Sequence, residues 1–103
     1  MHVKSRKPFN DAALRYPNDA KAILDTYKVL RSGSYSKPEQ LRAVFPRLDN
    51  FKYKDKWWVI DIGGNNLRLI AFIEFNHNRI YVRHIVPHGE YDKLCRRYAS
   101  ESA

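Results

Sequence analysis

Two arginines, Arg68 and Arg83, and one histidine, His88, are the side chains of this 103-residue sequence best suited to act on a phosphodiester. A guanidinium grips phosphate through paired N–H donors, and an imidazole can take or give a proton at neutral pH, which RNA transesterification needs twice. His88 stands beside Gly89, after the segment carrying Arg83 and before an amphipathic run, so a helix-capping role weighs equally with proton transfer. Lys52, Lys54 and Lys56 alternate with Phe51, Tyr53 and Asp55. An extended backbone there would project all three lysines to one side, either as a phosphate track or as a charged edge that blocks sheet aggregation.

Other chemistries lack their residues. There is no glycine-rich loop with a lysine, no Gly-x-Ser-x-Gly elbow and no His-Glu-x-x-His pair. His84, His88 and the single cysteine, Cys95, make no zinc set, because the histidines fall on a strand and its exit and no second cysteine exists. No metal and no cofactor are expected.

Positioning these side chains is the task of one domain spanning residues 1–103, since the length leaves room for one core. Hydrophobic residues make up 44% of the chain, too many for a disordered basic tail. Nineteen Lys and Arg against eleven Asp and Glu leave a formal charge of +8, which points to polyanionic partners, nucleic acid ahead of acidic membrane. The apolar run Leu69 to Ile73 is too short to span a bilayer, and Met1 to Lys7 carry no apolar signal region. A soluble cytoplasmic protein with no membrane partner is expected, and the lone cysteine fits a reducing compartment.

The hydrophobic period is 3.6 in the first half and 2 in most of the second. Phe9, Ala12, Ala13 and Tyr16 share a helical face that Pro17 ends. A second helix, capped by Asn18, carries Ala20, Ile23, Leu24, Tyr27 and Leu30 and stops at Gly33. Ser36, Lys37, Pro38 and Glu39 read as a capping box opening a short helix through Leu41 and Val44. Three antiparallel strands follow, broken at Gly63 to Asn66 and at Asn76 to Asn78, and a last helix aligns Tyr91, Leu94, Cys95 and Tyr98. The fold class is α+β, with N-terminal helices packed on an antiparallel sheet and a short C-terminal helix.

A first hairpin centred on Gly64 and Asn65 sets Asp61 opposite Arg68 and Trp57 opposite Phe72. A second, turning at His77 and Asn78, sets Phe72 opposite Arg83. One sheet face is then apolar, with His84 on that side, and must lie on the helices. The other, left uncovered, carries Trp57, Val59, Asp61, Arg68, Ile70, Phe72, Glu74, Tyr81, Arg83 and Ile85. Arginines to hold phosphate, with Trp57, Phe72 and Tyr81 to stack bases, make this an RNA-binding surface. The competing reading is an ordinary cross-strand ion pair at Asp61 and Arg68 and a solvated charge at Arg83.

The ordered set Lys37-Pro38-Glu39, Phe45-Pro46, Leu48-Asp49-Asn50-Phe51-Lys52, Gly63-Gly64-Asn65, Leu67-Arg68 and His88-x-Glu90-Tyr91-Asp92 closely resembles the HigB toxins of bacterial type II toxin-antitoxin systems, within the RelE-like group. The resemblance implies a compact RelE-like α+β fold and an mRNA endonuclease activity coupled to translation on the ribosome. It also implies a HigA-type helix-turn-helix antitoxin that neutralises the toxin and, in complex with it, binds operator DNA. Arg68, Arg83, His88, Tyr91 and Lys52 match family positions. Pro87 stands where threonine is expected and His84 where an acidic residue is frequent, so the general base is left unassigned.

On that reading Arg68 and Arg83 supply charge for the phosphorane and His88 is the acid or base. Tyr91 positions His88 or protonates the leaving group, with Lys52 assisting at the phosphate. Lys54, Lys56, Trp57 and Tyr81 join Lys52 in gripping RNA. The products would be a 2′,3′-cyclic phosphate, or the 3′-phosphate from its opening, and a 5′-hydroxyl. The alternative is a non-catalytic RNA- or ribosome-binding module.

Overall fold

Apolar residues at helical spacing, with Pro8 in the first turn where its missing N–H costs nothing, form α1 (Lys7–Arg15), which buries Phe9 and Ala12. A 3₁₀ turn at Pro17–Asp19 leads into α2 (Ala20–Ser32), with Ile23, Thr26 and Leu30 buried. Asp19 rather than Asn18 sits at the helix entry, and its carboxylate turns away to accept from Asn66 Nδ2 at 3.0 Å. Gly33 follows α2 for a packing reason: a Cβ there would collide with the ring of Tyr35, whose hydroxyl donates to the Val29 carbonyl at 2.8 Å. The short helix α3 (Pro38–Val44) forms as expected, but Gln40 rather than Glu39 reaches back, accepting from the Ser36 N–H at 2.7 Å. This computed structural model describes residues 1–102.

The sheet has five strands in the order β1 (His2–Val3), β5 (Arg79–Pro87), β4 (Leu67–Glu74), β3 (Trp57–Ile62), β2 (Asp49–Asn50). Its three long strands are antiparallel as expected; the two-residue β1 adds a parallel edge and β2 a short antiparallel one. The chain then enters α4 (His88–Ser102). The architecture is α+β, and no described helix is long and apolar enough to cross a membrane.

Gly63 and Gly64, both at positive φ, turn β3 into β4 in the expected register, with Trp57 opposite Phe72 and Asp61 opposite Arg68. The second hairpin differs. A 3₁₀ turn at Phe75–His77 and a left-handed Asn78 close it so that Glu74 faces Arg79 and Phe72 faces Tyr81, not Arg83. A β-bulge at Ile70/Ala71 then moves the ladder back by one residue, so Ile70 faces His84 and Arg68 faces Val86. A one-residue shift exchanges the faces. His84 thereby joins the face of Ile70, and Ile85 packs on the main core, the reverse of the alternation read from the sequence.

The main core lies between this sheet and the N-terminal helices, where Phe9, Ile23, Leu30 and Leu41 meet Ile60, Leu69, Ile73 and Ile80. Each such side chain, fully buried, contributes about 1.5–3 kcal/mol. The opposite face is not bare, as the sequence reading had it. α4 lies across it, and Tyr98, Tyr91, Leu94 and Cys95 pack with Phe51, Val59, Ile70 and Trp57 in a second, smaller cluster. Val59 and Ile70 would otherwise leave apolar surface in water, and the stripe on α4 is the matching cover.

Candidate functional site

A chain of polar contacts crosses the sheet end nearest the Gly63–Gly64 turn. Arg47 Nε lies 3.2 Å from Asp61 Oδ2, Asp61 Oδ1 3.2 Å from Arg68 Nε, Arg68 Nη2 3.5 Å from His88 Nδ1, and His88 Nε2 3.5 Å from Asp92 Oδ2. Its middle is enclosed, with the Asp61 and Arg68 side chains 15% and 11% exposed. Its ends, Arg47, His88 and Asp92, reach solvent.

Each member is placed by backbone geometry. The β3–β4 register sets Asp61 against Arg68. His88 is the first residue of α4, and one helical turn later Asp92 returns on the same face. Extending the β2–β3 register, in which Asp49 faces Val59, brings Arg47 opposite Asp61.

All three guanidinium nitrogens of Arg68 have partners. Besides Asp61 and His88 they reach the Asn65 carbonyl at 3.2 Å, the Leu67 carbonyl at 3.4 Å and Asn65 Oδ1 at 2.5 Å. Because arginine only donates, its contact with His88 Nδ1 suits the tautomer whose proton is on Nε2, facing the Asp92 carboxylate.

The Arg68 guanidinium also lies 5.9 Å from the centre of the Tyr91 ring. Burial, reinforced by a hydrogen bond with Cys95, pushes the Tyr91 phenol well above its ordinary pKa of about 10. Tyr91 therefore stays protonated at neutral pH. A protonated phenol is a proton donor.

Arg83 lies elsewhere on the face. Its guanidinium sits 5.9 Å from the centre of the Trp57 ring, and Trp57 is opposite Phe72, four residues along the strands from the Asp61–Arg68 pair. At about 3.3 Å per residue the Trp57 ring beside Arg83 stands roughly 13 Å along the strands from that pair. Between them runs a band of aromatic contacts: Trp57 with Tyr98 at 5.3 Å, Tyr98 with Phe51 at 5.7 Å, and Phe51 with Tyr91 at 6.3 Å. Arg83 is exposed and forms no ion pair among the described residues. Beside it His84 Nε2 meets the Tyr98 hydroxyl at 2.9 Å, and burial, with Arg97 and Arg83 nearby, lowers the His84 pKa.

The three lysines do not form a track, because residues 51–56 turn instead of extending and Lys56 has a φ of 62°. Lys52 lies 5.2 Å from the Tyr53 ring centre, and Lys54 is 5.4 Å from that of Tyr98 and 3.9 Å from Glu101. Lys56 lines a cavity of about 320 Å³ with Asn50, Trp58 and Phe75, on the other side of the sheet edge. Tyr81 packs on Phe72 at 5.6 Å beneath Lys4, beyond the Arg83 end. Arg68, His88 and Tyr91 thus come together, while Trp57 and Arg83 form a second group with Lys54 at its margin.

Arg47, Asn65 and Asp92 escaped the sequence reading as site residues. For Arg47 the signal is the register of a two-residue strand, which no periodicity reveals. For Asp92 it is the four-residue spacing from His88 on one helix.

Residues 19–94 match the family model described as HigB toxin, RelE-like toxic component of a toxin-antitoxin system. The chain belongs to the HigB toxin family. It is 53% identical over 98 residues to mRNA interferase HigB of Escherichia coli O6:H1 (strain CFT073), an alignment covering 95% of each chain. It is 42% identical over 92 residues to the mRNA interferase toxin HigB of Escherichia coli K12, covering 89% of this chain and 88% of that one. The mRNA interferase HigB of Shigella flexneri matches to the same extent. The stretch that matches the HigB toxin family contains every member of the polar chain from Arg47 to Asp92.

Proposed function

We propose that this protein is the toxin of a toxin-antitoxin pair and an endoribonuclease that cuts mRNA by metal-independent transesterification. The observation that carries the reading is His88, held between Arg68 and Asp92 beside a protonated Tyr91, in a chain 53% identical to an mRNA interferase.

The lone pair that can take a proton is on Nδ1, where Arg68 Nη2 now sits at 3.5 Å, the long limit of a hydrogen bond. An incoming ribose 2′-hydroxyl displaces that contact and delivers its proton to Nδ1 as its oxygen attacks phosphorus. The released Nη2 then becomes the charge nearest the phosphorane. The bond from phosphorus to the 5′-oxygen breaks, and the Tyr91 hydroxyl, kept protonated by burial, supplies the proton to that strongly basic alkoxide. The products are a 2′,3′-cyclic phosphate and a 5′-hydroxyl.

Arg83 over Trp57, with Lys52 and Lys54 nearby, holds RNA further along the strand by charge and stacking. The ribosome presents the mRNA, and a HigA-type antitoxin neutralises the toxin in the cytoplasm.

The partners held by every Arg68 nitrogen favour one rival, a non-catalytic ribosome-binding module in which this arginine is structural. Mapping mRNA 5′ ends after induced expression separates the two. New 5′-hydroxyl ends, formed also by purified protein and ribosomes in the presence of a metal chelator at reduced magnesium, support the nuclease. Growth arrest without new ends supports the binding module.

A further inference from the structure

Arg47 has no stabilising task that explains it. The Asp61 carboxylate is already neutralised by the enclosed Arg68, and an ion pair made by an arginine 64% exposed contributes about 0–1 kcal/mol. What the contact does is aim. With Nε in its ion pair with Asp61, the planar guanidinium has no hydrogen bond or ion pair at its two outer nitrogens among the described residues.

Arg47 lines a depression of about 180 Å³ between the α3–β2 connection and the Gly63–Gly64 turn, together with Val44, Phe45, Pro46, Asp61 and Gly64. Its lining is unusual for a surface. Val44 is 46% exposed, one of three large apolar side chains so exposed among the described residues, and nothing lies within 4 Å of where a Gly64 Cβ would stand. An apolar floor with one oriented guanidinium at its rim and an open wall matches a nucleotide, whose base or ribose covers carbon while its phosphate takes two N–H donors. Arg47, Asp61 and Arg68 lie on adjacent strand lines, so Arg47 is two strand widths, roughly 10 Å, from the backbone of Arg68. That is a short reach along one RNA strand.

We propose that Arg47 and the Val44–Pro46 depression form an RNA subsite that binds the nucleotide next to the bond cut at His88, with Arg47 on its phosphate. The subsite rests on the nuclease reading above, and Asp61 serves it as the residue that holds Arg47 in place.

The test uses the full chain and a single-stranded RNA hexamer with 2′-O-methyl groups, which binds without being cut. Hexamer affinity is measured against salt, and cleavage of unmodified mRNA on ribosomes gives kcat and KM. Arg47→Ala is expected to weaken hexamer binding about 5- to 10-fold and to flatten the slope of log affinity on log salt by about 0.7. KM should rise by a similar factor, with kcat within twofold and the melting temperature unchanged. Val44→Glu, a solvent-side change that spares the core, is expected to weaken hexamer binding comparably, and Arg47→Lys to restore the salt slope but not the full affinity.

An unchanged slope and KM in Arg47→Ala overturns the subsite, as does a loss of kcat that tracks a fall in melting temperature, which would make Arg47 a structural prop for Asp61. Failure of the parent protein to bind the hexamer overturns it too. If the parent binds the hexamer with the Arg47 dependence but makes no cuts, the subsite stands and the nuclease reading falls.

Discussion

Arg68 and Arg83 serve the same sheet face from adjacent strands, yet the protein treats them in opposite ways. Around Arg68 every guanidinium nitrogen has a partner and the side chain is nearly closed off by Asp61, Asn65 and the start of α4. Arg83 is exposed, lies over the Trp57 ring and makes no ion pair among the described residues. A guanidinium that satisfies its surroundings fixes geometry, while one left open stays available to a ligand. The contrast separates a part of the site that orients His88 from a part that grips RNA, though residue type and face are the same in both.

The largest effect expected from this division is at His88. Its replacement by Asn keeps hydrogen-bonding and capping capacity but cannot titrate near neutrality. Cleavage should fall about 10²- to 10⁴-fold while RNA affinity stays within twofold. Wild-type cleavage by a folded His88→Asn protein would return the residue to a structural role.

Next comes the pair of arginines. Arg68→Ala leaves Asp61 with only the exposed Arg47 and strips His88 of its partner. A stability loss of about 3 kcal/mol is expected, lowering the melting temperature by roughly 10 °C or more. Arg83→Ala should stay within about 0.5 kcal/mol of the parent in stability and raise KM by roughly 10- to 100-fold through a lost charge-assisted phosphate contact. Thermal melts and steady-state kinetics on the two variants would erase the distinction if both unfold early or both melt like the parent.

Lys52→Ala sharpens the boundary of the gripping part, flattening the salt dependence of RNA affinity by about 0.7 of a slope unit if Lys52 meets one phosphate of a single strand. An unchanged slope would put it off the RNA path.

The smallest effect is on stability against pH. His84, held neutral by burial and by Arg97 and Arg83, has a folded pKa below its unfolded value of about 6.5. Its contribution is therefore intact above that value and lost as pH falls toward the folded pKa, since the unfolded chain binds the proton first. Melting temperature should drop on going from neutral to acidic buffer, and His84→Gln should reduce the drop. Equal slopes in both proteins would remove His84 from the acid response.

The sequence carried the Asp61–Arg68 pairing because Gly63 and Gly64 admit a left-handed turn that pins the β3–β4 register. It did not carry the β5 register. Asn78 and the bulge at Ile70/Ala71 each move the ladder by amounts no alternation pattern records, which put His84 and Ile85 on the wrong sides. The stripe of Tyr91, Leu94, Cys95 and Tyr98 announced an amphipathic helix, but not that its cover is the face of Val59 and Ile70. The lysines misled because alternation in sequence implies one side only on an extended backbone, and Trp57 N–H bonding back to the Lys54 carbonyl at 3.3 Å curls that segment instead. Arg47 depends on a strand of two residues, below the length at which any pattern forms.

The second cluster has a consequence for when the parts of the molecule come apart. α4 docks through a satellite patch on the far side of the sheet from the main core, so the free energy of lifting it off is a fraction of that of global unfolding. Its amide protons should exchange with deuterium ahead of those of β4. His88 and Tyr91 ride on this helix, whereas Arg68 is fixed in the slow-exchanging sheet. Each detachment event would pull the proton-transfer groups away from their arginine, making the lifetime of helix docking a clock on how long the assembled site persists.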